Sequence, residues 1–197
     1  MTDNLNVKKF LNIPGEVRGD VLRTDLEYIK KKEGAQGLKN FESQIKDLGL
    51  DITRDKIKNT RWYPVGYKAL LLELARKKLN WKDKDMIKMG EMASTQSFIT
   101  RTILRYFVSL EKTFQETPKY WHKYWYAGEF IPHELNIEKK YLVIKIKGFK
   151  VHPDVCLYLQ GHFKAIAKML IQSEHIQVKE TQCGLVGGGY HEFKVTW

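Results

Sequence analysis

The apolar positions of the chain change their spacing near Gly128. Before it they recur every three or four residues, the period of a helix, and after it they alternate, the period of a strand. Val17, Val21, Leu22, Leu26 and Ile29 predict an amphipathic helix over 16–33, entered after Pro14-Gly15 and left at Gly34. Leu38, Phe41, Ile45 and Leu48 predict a second, ending near Gly49. A third, from about Val65 to Leu79, carries Leu70, Leu71, Leu72 and Leu74 and is apolar around so much of its girth that it belongs at the centre. Residues 83–114 predict two helices broken around Gly90 to Thr95, with Met86, Ile87 and Met89 before the break and Phe98, Ile99, Ile103, Leu104, Phe107 and Leu110 after it. The run Tyr120-Trp121-His122-Lys123-Tyr124-Trp125-Tyr126 is the densest aromatic cluster, and as a helix it would carry Trp121, Tyr124 and Trp125 on one side.

Past Gly128 the pattern predicts a strand over 129–137, which Pro132 confines to an edge or a bulge, and a second over 140–147 with Leu142, Ile144 and Ile146 on one face. They form a hairpin across Glu138-Lys139. Cys156, Leu159, Phe163, Ile166 and Leu170 mark the buried stripe of a helix over 153–171. In the closing hairpin, Ile176, Val178 and Glu180 share one face of the first strand, and His191, Phe193, Val195 and Trp197 share one face of the second. The expected fold is α+β: N-terminal helices, then a four-stranded antiparallel sheet in β-β-α-β-β order. One domain is expected over 1–197, mainly helical through 127.

This patterning raises a chemical question. Glu180 and His191 fall among inward-facing apolar residues, where a carboxylate costs several kcal/mol unless it is paired or metal-bound, and Cys183 lies just beyond the first strand. Zinc accepts thiolate, imidazole and carboxylate in one tetrahedral site, and Cys156 on the buried stripe completes the set Cys156, Glu180, Cys183 and His191. Four protein ligands would leave no open position for water, so such a zinc would be structural. The competing account is two ordinary buried thiols, a Glu180 paired with lysine and a satisfied core histidine; two scattered cysteines are a weaker signal than a paired C-x-x-C framework.

The segment from His152 to Trp197, with its His-Pro-Asp-Val-Cys-Leu-Tyr-Leu-Gln-Gly-His-Phe helix start and its Glu-x-x-Cys, resembles the 4-vinyl-reductase-type small-molecule sensor domain. The resemblance implies a zinc site in which Cys156, Glu180 and Cys183 hold matching positions and His191 replaces the family's last cysteine. It covers the last quarter of the chain well and the rest only in layout. The fold group also includes haem nitric-oxide-binding domains and vesicle-tethering (TRAPP) subunits, so kinship of fold does not settle function. What it implies is a small-molecule sensor that pairs as a homodimer and signals through a separate output partner. A haem or other tetrapyrrole protein or enzyme is the alternative, and an assembly subunit is a third class.

The middle of the chain bears on the ligand. Tyr106, Trp121, His122 and Trp125 are the candidate contacts for an apolar or aromatic molecule, set against simple packing of a helix on the sheet. Haem ligation by His122 or His133 ranks last, because the Tyr-x-Ser-x-Arg clamp of the haem nitric-oxide-binding family is missing. The net charge of +11 invites a nucleic-acid partner, but Lys30-Lys31-Lys32, Lys77-Lys78 and Lys139-Lys140 are dispersed and no DNA-binding motif accompanies them. No stretch approaches the ~20 apolar residues of a membrane span and the polar start is no signal peptide, so a cytoplasmic protein is expected. Gly187-Gly188-Gly189 reads as a hairpin turn, since no helix follows to face a phosphate. No serine elbow, paired carboxylates or dinucleotide fingerprint supports catalysis.

Overall fold

Val17 is fully buried and pairs on both sides, opposite Tyr63 and opposite Trp125, which draws three short segments distant in sequence into one small sheet. The computed structural model describes residues 6–96, 109–171 and 173–197. Within them lie helices Val7–Leu11 (α1), Gly19–Asp47 (α2), Gly66–Lys78 (α3), Asp83–Gln96 (α4), Leu110–Trp121 (α5) and Pro153–Leu170 (α6). The strands are Glu16–Arg18 (β1), Trp62–Pro64 (β2), Trp125–Tyr126 (β3), Glu129–Asn136 (β4), Tyr141–Lys147 (β5), Gln177–Gln182 (β6) and Tyr190–Thr196 (β7).

The mixed α+β class is the expected one. The larger sheet is antiparallel in the order β4-β5-β7-β6, with α6 crossing between its two hairpins. Its edge strand β4 slips register between Pro132 and Glu134, where proline cannot donate to the ladder. The small sheet β2-β1-β3 was not foreseen: its strands fall in stretches read as helix or turn, and their pairing is tertiary. Gly15 permits it, at φ +108°, where a Cβ would come within 2.7 Å of the Tyr126 carbonyl oxygen.

Three helix boundaries differ from the periodic reading. The first two predicted helices abut as one element, α2, kinked at Gly34, whose φ of 77° and ψ of 175° are non-helical. The expected break around Gly90 is absent, because Gly90 lies inside α4 and serves a crossing with α6. A Cβ on Gly90 would stand 1.9 Å from Tyr158 O, and one on Gly161 would stand 1.9 Å from Ile87 O. The aromatic cluster is not one helix either: α5 ends at Trp121 and the chain turns through His122 into β3.

Helix α6 is anchored at its start. His152 caps it, its Nδ1 accepting from the Asp154 amide at 3.2 Å, and Asp154 is held by Arg76 of α3 through Nε at 3.0 Å to both carboxylate oxygens. Deeper in, Lys68 of α3 and Asp25 of α2 form a fully buried pair at 2.6 and 2.7 Å, with Lys68 Nζ 3.2 Å from the centre of the Tyr158 ring on α6. No described helix is long and apolar enough to cross a membrane.

Candidate functional site

Two places collect chemistry, one at the closing hairpin and one between the helices and the sheet. At the hairpin, period-two alternation turns His191 inward from β7, where it is 1% exposed, and the register brings it beside Ile146 of β5. Between Glu180 and Gln182 the ladder of β6 slips by one residue, an irregularity that re-aims the strand end. Cys183 follows directly and Gly184–Val186 form a 3-10 turn; Gly187 at φ +108° and Gly189 at φ +68° then carry the chain back into β7. Cys156 comes from the first turns of α6.

The ligand-type atoms of Cys156, Glu180, Cys183 and His191 lie within 4.8 Å of one another. Four donors about a zinc ion, at ~2.0–2.3 Å each, would stand ~3.3–3.8 Å apart, so this spacing is of the right order. The histidine decides what the group can do. His191 Nε2 is 2.7 Å from the Phe149 carbonyl oxygen, which can only accept, so Nε2 carries a hydrogen and Nδ1 is the nitrogen left for a metal. Nδ1 is 2.7 Å from Glu180 Oε1 and 3.4 Å from Cys156 Sγ, with the Gly184 amide 3.3 Å away. A backbone carbonyl that sets the tautomer is the usual outer support of a metal-binding imidazole. Burial first, then Glu180 and Cys183, push the Cys156 thiol well above its ordinary range. The thiolate a metal needs is therefore disfavoured there unless a cation supplies the compensation.

A second carboxylate-imidazole group, Glu73, His152 and Asp154, has another explanation. Arg76 neutralises Asp154, and His152 is the cap of α6.

The other place is a cavity of about 160 Å³, walled by the N-terminal part of α2, by Ala93 of α4, by α5 and α6 and by strands β4, β5 and β7. Trp121, Phe114, Phe130 and Phe163 make its aromatic side, and Asp20 is the charged residue among the described lining. Trp121 is fixed by Nε1 donating to Ala127 O at 3.2 Å and by stacking on Trp125, centroids 5.3 Å apart. His162 also lines it. Its Nδ1 is 2.6 Å from Ser94 Oγ, and burial holds its pKa down at about 4, so the ring is neutral.

The structure brings the four candidate metal residues together. Of the four candidate ligand contacts, Trp121 is on the cavity wall, Trp125 is buried behind it, His122 is exposed, and Tyr106 lies outside the described residues. His133 is exposed on β4. Asp20, Thr24, Tyr158 and His162 were missed. A signal existed: Asp20 and Thr24, and likewise Tyr158 and His162, are four apart and share a helix face beside the apolar stripe.

No family model and no curated protein matches the chain. Solved structures do. An iron(II), unliganded H-NOX protein mutant from K. algicida shares 12% identity over 91% of this chain and 95% of that one, with a TM-score of 0.64. An iron(II) H-NOX protein mutant from S. oneidensis shares 9% identity over 91% and 95%, with a TM-score of 0.66. A structure solved to probe heme distortion in the H-NOX family shares 13% over 90% and 92%, with a TM-score of 0.65. At such identities the likeness is one of fold. It reaches the expected fold group and not the 4-vinyl-reductase family itself.

Proposed function

We propose that the chain is a ligand-binding sensor module, one domain over 1–197, whose ligand occupies the apolar cavity between the helices and the sheet. The observation that carries this is the cavity itself: both halves of the fold contribute its walls, so an occupant would couple them. Zinc at Cys156, Glu180, Cys183 and His191 is the second part of the proposal, pinning α6 to the closing hairpin. A homodimer and a separate output partner belong to it as well, the first tested by light scattering on the purified chain.

The structural neighbours are haem proteins, and they favour the haem or tetrapyrrole alternative over the zinc-pinned sensor. Haem needs an axial ligand and partners for two propionates. All six histidines are described, and His162 is the one on the cavity wall. Its neutral ring suits ligation. The described wall nevertheless carries no lysine or arginine, its charged residue is the acidic Asp20, and 160 Å³ falls below the ~300–1,000 Å³ of ordinary ligand pockets. The described wall fits a small ligand and offers no basic partner for a haem propionate.

Absorption spectroscopy and elemental analysis of the same untagged sample separate the two. About one zinc per chain, no iron and no Soret band supports the sensor reading. A Soret band with iron that His162→Ala abolishes establishes the haem alternative. Zinc content unchanged by Cys183→Ser would sink the metal assignment.

A further inference from the structure

Several polar groups of the described cavity wall present acceptors to it. Asp20 Oδ1 is buried without a hydrogen-bond partner, while the rest of the carboxylate has Arg18 Nε at 3.5 Å from Oδ2 and the backbone amides of Asp20 and Val21. That guanidinium is shared, since Nε is also 3.3 Å from Asn59 O and Nη1 3.5 Å from Lys123 O. The contrast with Asp25 is direct: one turn further along α2, that carboxylate is fully matched by Lys68. The three threonines of the described wall spend their hydroxyl hydrogens on backbone carbonyls, Thr24 on Asp20 O, Thr113 on Ser109 O and Thr117 on Phe114 O. They present lone pairs. His162 Nδ1 is engaged with Ser94 Oγ at 2.6 Å, which leaves Nε2 as its other ring nitrogen. Trp121 Nε1–H is already committed to the backbone.

A buried carboxylate oxygen without a partner, beside threonine lone pairs, calls for a ligand that brings donors and positive charge. The aromatic side adds to this, because the faces of Trp, Tyr and Phe rings attract cations. Size limits the rest of the molecule. A cavity of about 150 Å³ is known to hold benzene, so 160 Å³ holds one aromatic ring with a short substituent.

From the cavity geometry we infer that the ligand is a small primary amine carried on a single aromatic ring, its ammonium group donating to Asp20 and its ring lying against Trp121 and the phenylalanines. The inference rests on the ligand-binding reading and specifies its occupant. Anionic aromatics are excluded by the same carboxylate.

The test is titration of the full chain with three probes of one shape, benzylamine, toluene and phenylacetate, followed by Trp fluorescence and calorimetry. Benzylamine is expected to bind about 10- to 100-fold tighter than toluene, the value of a charged hydrogen bond, and phenylacetate more weakly than either. Asp20→Asn should bring benzylamine to within about threefold of toluene while toluene binding persists, which shows the cavity intact. If toluene binds and benzylamine gains nothing, or if Asp20→Asn leaves the preference unchanged, the amine inference is overturned and the ligand-binding reading stands. If none of the three binds, both are overturned.

Discussion

Lys68 and Asp25 show what a single residue can decide in this fold. Both side chains are fully buried, so each charge is tolerated only because the other is within 2.6–2.7 Å. Burial is the larger influence on each, drawing Lys68 down to about 8 and Asp25 up to about 6. Lys68→Met alone leaves a buried, unpaired carboxylate and should cost about 3–5 kcal/mol in denaturant melts. The double variant Asp25→Leu/Lys68→Met should recover most of that loss, and a double variant as unstable as the sum of the singles would show that the two do not act as a pair. His162 offers a pH test. Its folded pKa of about 4 lies below the ~6.5 of an unfolded chain, so the unfolded state takes up a proton that the folded state refuses. Stability contributed by the neutral ring is thus present above pH ~6.5 and is lost as pH falls toward about 4. Asp20 and Asp25, both raised to about 6 chiefly by burial, act in the opposite sense, since their contribution is lost as pH rises through about 6. The His162 part is therefore read as a difference: His162→Asn should lack an acid-side decline on the order of 3 kcal/mol that the parent shows in urea melts at pH 7, 5.5 and 4.

At the scale of elements, the crossing of α4 and α6 is set by paired glycines. Read as a sequence, Gly90 is a helix breaker, since glycine weakens a helix by about 1 kcal/mol against alanine. In the fold it has the opposite use, because a Cβ there or on Gly161 would reach 1.9 Å from a carbonyl oxygen of the other helix. Gly161→Ala should therefore destabilise by about 1–3 kcal/mol through overpacking, despite alanine's better propensity. A thermal melt decides it: a rise in Tm would mean the helices are not in close contact there. Strand β4 behaved as read, because Pro132 removes a donor wherever it sits.

For the whole molecule, the proposed metal joins the start of α6 to the end of the chain. Stripping it with a chelator should lower the Tm by several degrees, and Cys156→Ser should lower it similarly and make the chelator ineffective. A chelator-insensitive parent would return the four residues to ordinary packing. How far such statements were readable from the residues differs by kind. The grouping of Cys156, Glu180 and Cys183 was implied only by the resemblance, whereas periodicity carries burial, so the helix stripes, the alternation of β5 and β7 and the inward turn of His191 were legible before any coordinates. These are properties of short stretches, each obeying its own repeat. The β2-β1-β3 sheet, the Gly90–Gly161 crossing, the Asp25–Lys68 pair and the cavity that holds Asp20 were decided only in three dimensions. Each needs two or more segments far apart in sequence, and nothing in the local spacing of one segment says which distant partner will satisfy its backbone, fill its groove or balance its charge.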